Sequence, residues 1–129
     1  MDELVIKTPR EGFINITGQI AQLLTKQEGK SGICQIFIPH TTAGVTINEN
    51  ADPDVVYDML AALEAMVPKL SYRHGEGNSP AHVKSSLVGC SVTVTVAAGK
   101  LVLGTWQGIY FCEFDGPRNR KVYVNLVGS

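Results

Sequence analysis

The sequence predicts an α+β fold: a mostly antiparallel β-sandwich with two main helices and a short third one. Three observations predict it. Both ends of the chain carry short runs in which apolar and polar residues alternate, the period of a half-buried strand. Two inner segments repeat their apolar residues at helical spacing instead. The turns "AAGK" and "DGPRNR" read as hairpin connections between strands of the C-terminal third.

Each element has its own grounds. "ELVIKTP" and "GFINIT" read as strands. Thr17 then stands as a helix cap, "GQIAQLLTKQE" places Ile20, Leu23, Leu24 and Gln27 at helical spacing, and Gly29 can end the helix. "GICQIFIPH" is an apolar run bounded by glycine and proline, which fits a buried strand, and "TTAGVTINE" reads as its neighbour in the sheet. "ADPDVVYDMLAALEAMV" is the clearest helix. Asp52 can cap it, Pro53 suits the first turn, and Asp54 faces the positive end of the helix dipole. Its residues Val55, Val56, Met59, Leu60, Leu63, Met66 and Val67 cover an arc of about 140°, a stripe expected to be core. "SPAHVKSSLVG" is the short helix, with Ser79 as cap, Pro80 in the first turn and Gly89 past the end. In "CSVTVTVA" and "KVYVNLV" the valines alternate with polar or aromatic residues, as strands require.

Composition narrows the function. A chain of 129 residues is expected to be one domain over residues 1–129, and burying roughly two-thirds of its unfolded surface needs no disulfide or metal. Eleven basic against twelve acidic residues give a net charge of −1, without the field that nucleic acid would call for. No segment approaches the roughly 20 apolar residues of a membrane span, and "MDELVIKTPREG" shows no signal-peptide pattern. The expected compartment is the cytoplasm. Cys34, Cys90 and Cys112 lack C-x-x-C spacing and read as buried, reduced thiols in strands. Trp106 reads as core or interface.

The chemistry gathers around three histidines. His74 and His82 flank "GEGNSPA", and His40 follows Pro39 at a strand end. With Ser79 as cap, His82 falls at the third helical position, where the dipole disfavours imidazolium and favours a neutral ring able to ligate a metal. Gly75 and Gly77 allow a tight loop around His74 and Glu76. Three histidines and an open position suit a zinc-type site, while nearby carboxylates would shift preference to harder ions such as magnesium. The plainer reading is that each histidine hydrogen-bonds in its own loop. Asp52 and Asp115 are most simply a cap and a turn residue. Arg73, Lys84, Arg118 and Arg120 could bind phosphate, although each is more simply a solvated charge.

The segments "PHTTAGVTINENADPDV", "YRHGEGNSPAHVKSSLVG" and "GTWQGIYFCEFDGPRNR", with the closing strand, resemble the YjbQ family, whose members are called secondary thiamine-phosphate synthases. The resemblance runs over nearly the whole chain. It implies a compact homotrimer in which His40, His74 and His82 converge on a metal or anion site near a subunit boundary. Glu49, Glu76, Asn78 and Lys84 would be their first neighbours, with Gln107 and Arg118 as further polar contacts. It also implies an activity that joins hydroxymethylpyrimidine diphosphate to a thiazole phosphate and releases pyrophosphate. Charge on the departing pyrophosphate would then be neutralised by a divalent ion, zinc or magnesium, or by Arg73, Lys84 and Arg118. The leading expectation is thus a metal-assisted enzyme on a phosphorylated small molecule, with Glu49, Glu76 and Lys84 as catalytic candidates. Arg73, Asn78, Gln107 and Arg118 would bind the anion. The alternative is a non-catalytic trimer that binds a metal or anion.

Overall fold

The strand periods of the sequence become two antiparallel sheets, seen in a computed structural model that describes residues 1–128. One sheet has five strands in the order β1 (Asp2–Lys7), β8 (Asn119–Gly128), β3 (Gly32–Phe37), β5 (Ser91–Ala97) and β6 (Lys100–Leu101). The other has three, β2 (Gly12–Asn15), β7 (Gln107–Glu113) and β4 (Ala43–Glu49). Their facing residues, including Cys34, Ile36, Val45, Val94, Val96, Ile109, Phe111, Val122 and Val124, form the main core. Phe111 is fully buried there, which stabilises the fold by about 2–3 kcal/mol. Helix α1 (Thr17–Leu24) adds Ile20 and Leu24 to this core.

β7 is buried on both faces. Ile109 and Phe111 point into the sandwich, while Tyr110 and Cys112 join Phe114 in a second cluster. Ala81 and Val88 of α3 (Ser79–Val88) and Val56 and Leu63 of α2 (Pro53–Met66) cover that cluster. α2 and α3 therefore form a third layer, outside the three-stranded sheet. α3 lies so close to β4 that a Cβ on Gly44 would come within 2.5 Å of the Gly89 carbonyl oxygen. Only glycine allows this approach, and the adjacent Val45 N–H donates to that same oxygen.

Several local expectations change. β3 and β4 are not sheet neighbours: the segment from Ile38 to Thr42 leaves one sheet and enters the other. "DGPRNR" makes the reverse crossing between β7 and β8, so it is not a hairpin. "AAGK" is one, with Ala98 and Gly99 both at positive φ. Thr17 does not cap α1; its hydroxyl donates to Asn15 and accepts the Ile109 N–H. Asp52 does cap α2, accepting the Asp54 N–H at 2.9 Å. The apolar stripe of α2 is only half-buried, and no residue within the helix is fully covered. Cys34 and Cys112 are buried, and burial pushes the Cys34 thiol up to about 11. Cys90 is exposed, just ahead of β5. Trp106 is exposed as well.

Candidate functional site

The β3–β4 and β7–β8 crossings pass at one end of the sandwich, and the site forms there. β3 runs beside β8 with register pairs Ile36–Val124 and Phe37–Tyr123. Continued by two residues, that register would set Pro39 opposite Lys121, but the chain has already turned toward the other sheet. The Lys121 N–H is left without a strand carbonyl, and Nε2 of His40 accepts it at 2.8 Å.

α3 delivers the second wall. Asn78, not Ser79, is its N-terminal boundary residue, and Asn78 makes no side-chain cap. His82 therefore sits one position deeper than expected, with its N–H directed at the Asn78 carbonyl. The preceding loop turns at Gly77, whose φ is +76° and whose N–H bonds the His74 carbonyl. That turn sets the His74 and His82 rings edge to face, with centroids 5.7 Å apart. Glu76 Oε2 lies 3.9 Å from His74 Nε2.

Pro39, His40, Thr41, Thr42, His74, Glu76, Asn78, His82, Arg118 and Arg120 line one open cleft of about 440 Å³. Its floor is charged. Arg120 is nearly buried, and its Nε and Nη2 donate side-on to Glu113 at 2.7 and 2.5 Å. Nη2 also donates to Thr42 Oγ1 at 2.8 Å. Glu113 accepts further bonds from the Thr8 hydroxyl and the Asp115 N–H, so its acceptor positions are filled. Burial raises the Glu113 pKa, but the bonds from Arg120, Thr8 and Asp115 outweigh it and hold the carboxyl below its ordinary range. Gly12 and Ala43 are its cross-strand partners.

At the rim, Asp115 accepts from Asn78 at 2.9 Å and from Arg118 at 3.0 Å. The Asn78 bond first, then Arg118, keeps the Asp115 pKa low. Asn78 Oδ1 is buried without a partner. Burial, followed by the Arg120 charge, lowers the His40 pKa.

Other expected site residues stand elsewhere in this chain. Glu49 and Gln107 pair across β4 and β7 at the end away from Thr42, about 20 Å along the strand. The Gln107 side chain closes a turn by accepting the Gly104 N–H. Lys84 is not a solvated charge: it is 4% exposed and its ammonium bonds Glu11 and Glu64, away from the histidines. Arg73 is exposed and outside the cleft wall. Thr42 and Glu113 are site residues that sequence reasoning missed, and Arg120, expected as a phosphate binder or more simply a solvated charge, is instead buried against Glu113. The signal for Arg120 was available, because it shares the inward phase of Val122 and Val124.

The fit to a metal is partial. Among the described residues no three His, Cys, Asp or Glu side chains are grouped to hold an ion. His40 has its Nε2 lone pair committed to Lys121, which leaves His74, His82 and Glu76 as the adjoining donors.

The chain matches the family model described as UPF0047 protein YjbQ-like over residues 2–129. It belongs to the YjbQ family. Its YjbQ relatives include a UPF0047 protein of Methanocaldococcus jannaschii, 54% identical with 96% of this chain and 91% of the relative covered. Another is the UPF0047 protein YugU of Bacillus subtilis, 53% identical with 94% and 93% covered. A solved YjbQ/UPF0047 structure from Clostridium acetobutylicum superposes with a TM-score of 0.94 at 50% identity, covering 98% of this chain and all of that one. A protein of unknown function from Sulfolobus solfataricus gives 0.92 at 33% identity, with 99% and 96% covered. The α+β sandwich is thus the YjbQ fold. No helix among the described residues is long and apolar enough to cross a membrane.

Proposed function

We propose that the histidine cleft is the active site of an enzyme acting on a phosphorylated small molecule. One observation carries the reading: His40, His74, His82, Arg118 and Arg120 line a single polar cleft. Imidazoles can donate, accept or move protons near neutral pH, and guanidinium groups match phosphate oxygens. Within this class, joining hydroxymethylpyrimidine diphosphate to a thiazole phosphate is the named candidate. Its chemical demand is stabilisation of charge on departing pyrophosphate, and donors fixed before the reaction supply most in such a step. Arg118 at the rim is one donor, oriented by Asp115. A divalent ion, zinc or magnesium, would neutralise part of that charge when bound. This chain would offer it His74 and His82 with Glu76 beside them, and a substrate oxygen or a neighbouring copy would complete the set.

Assembly as a homotrimer belongs to the same proposal. Its support is the outer face of the five-stranded sheet, where Val5, Ile33 and Val127 are exposed and Phe37 stacks on Tyr123. Light scattering is expected to give three chain masses, and a stable monomer removes this part.

The test of the enzyme reading is release of phosphate or pyrophosphate from a panel of phosphorylated compounds, thiamine precursors included, with and without added zinc or magnesium. Turnover that disappears in His82→Ala supports the reading. Tight binding without turnover returns the protein to a non-catalytic metal- or anion-binding role.

A further inference from the structure

We infer that His40 and Arg120 form a prefixed anion anchor on the cleft floor: the His40 Nδ1–H and the free Nη1 of Arg120 receive an oxygen of the substrate's phosphoryl group. The inference rests on the phosphorylated-substrate reading above and assigns the end of the cleft that holds the phosphate.

The argument starts from the Lys121 amide. A backbone N–H can only donate, so the nitrogen it points at must carry a lone pair. Nε2 of His40 accepts that bond at 2.8 Å, and the proton of the neutral ring therefore sits on Nδ1. In this tautomer His40 has nothing to offer a cation from either nitrogen. It has one N–H to offer an acceptor.

Arg120 is fixed in a comparable way. Nε and Nη2 are bonded to Glu113 and Thr42, while Nη1 bonds no group among the described residues. Asn78 Oδ1 is the one buried side-chain atom without a partner among those residues. His40 Nδ1 and Arg120 Nη1 are therefore not sealed from solvent, and both residues line the cleft. The Arg120 side chain is 6% exposed, so its orientation is set before any ligand arrives. Anchoring by Glu113 removes the side-chain ordering cost that a flexible surface arginine meets on binding. Adjacent donors held this way suit an anionic oxygen.

Two variants isolate the anchor. His40→Gln lets the Gln carbonyl oxygen accept the Lys121 N–H at the place of Nε2, and removes the donor at Nδ1. Arg120→Lys keeps a positive charge against Glu113 and removes the free guanidinium nitrogen. The probe is inorganic phosphate, titrated at pH 7.5 and followed by long-range proton–nitrogen NMR of the histidine rings, with calorimetry alongside. The expected result is Nδ1-protonated His40, a His40 shift that saturates with phosphate, and affinity about tenfold weaker in each variant. Backbone spectra of the variants confirm the fold. An Nε2-protonated His40 overturns the inference. Phosphate that binds with unchanged affinity in both folded variants overturns it too, and leaves the cleft reading standing. If neither phosphate nor any phosphorylated compound binds the wild-type protein, both fall.

Discussion

Glu113 and Arg120 meet side-on in the interior of the sandwich, seven residues apart along two strands that belong to different sheets. The pair ties the sheets together at the end where the cleft opens. Breaking a buried pair leaves one charge without its counterpart, which costs about 3–5 kcal/mol. Glu113→Gln is therefore expected to lower stability by about that amount. Urea unfolding monitored by tryptophan fluorescence and far-UV circular dichroism checks it. A change below about 1 kcal/mol would show that the pair is not holding the sheets.

Acid should act through this pair, through Asp115 beside it and through the Lys84–Glu64 pair of the helices. Glu64, Glu113 and Asp115 have pKa values below their ordinary ones in the folded chain. A depressed carboxylate stabilises the fold above its unfolded pKa, and that contribution is lost as pH falls through the folded value. His40 is depressed too, so its contribution is complete above about pH 6.5 and begins to fade below it. Stability is expected to decline gently below about pH 6.5 and steeply below about pH 4. Denaturation midpoints across pH 3–8 measure this, and a flat profile would contradict the assignment.

Lys84 is expected to be structural. Burial lowers its pKa, but the bonds to Glu64 and Glu11 outweigh that and leave it raised. Its contribution is present below the ordinary lysine value and lost only as pH rises through the higher folded one. Because both glutamates are partly exposed, Lys84→Met should shift stability at pH 7 by about 1 kcal/mol or less. Amide exchange in α2 should quicken while phosphate affinity holds. Lost phosphate binding with unchanged α2 exchange would restore Lys84 to the site.

The α2 cap gives a local test. Asp52→Ala removes the acceptor of the Asp54 N–H and should cost about 1 kcal/mol, with no change in phosphate affinity. Thermal unfolding and calorimetry separate the two effects. An unchanged midpoint with impaired binding would move Asp52 into the site.

The strands and helices α1 and α2 were legible because each carries its own period, Val122 and Val124 in β8 and Ile20 and Leu24 in α1, although α3, expected to be the short helix, is longer than α1. What could not be read was which sheet each strand joins. Local pattern makes β3 and β4 neighbours, but Glu113 and the small partners Gly12 and Ala43 depend on contacts far apart in the chain. Grouping of the histidines came from the motifs and their loops. Their chemistry was legible only in part, because the tautomer of His40 depends on an amide 81 residues away. Glu49 and Gln107 were assigned through motif resemblance, and strand length carries them to the other end of the sheet.

The most direct measurement is calorimetric titration of inorganic pyrophosphate into the wild-type protein and into the His74→Ala/His82→Ala double variant. His74 is exposed on its loop and His82 is half-buried in the cleft wall, and neither belongs to a core cluster, so their loss should leave the unfolding midpoint nearly unchanged. Pyrophosphate is expected to bind the wild type with one site per chain, and the double variant at least tenfold more weakly. Equal affinity in the two proteins, with both folded, would mean that His74 and His82 take no part in binding a phosphorylated molecule, which contradicts the three-histidine site.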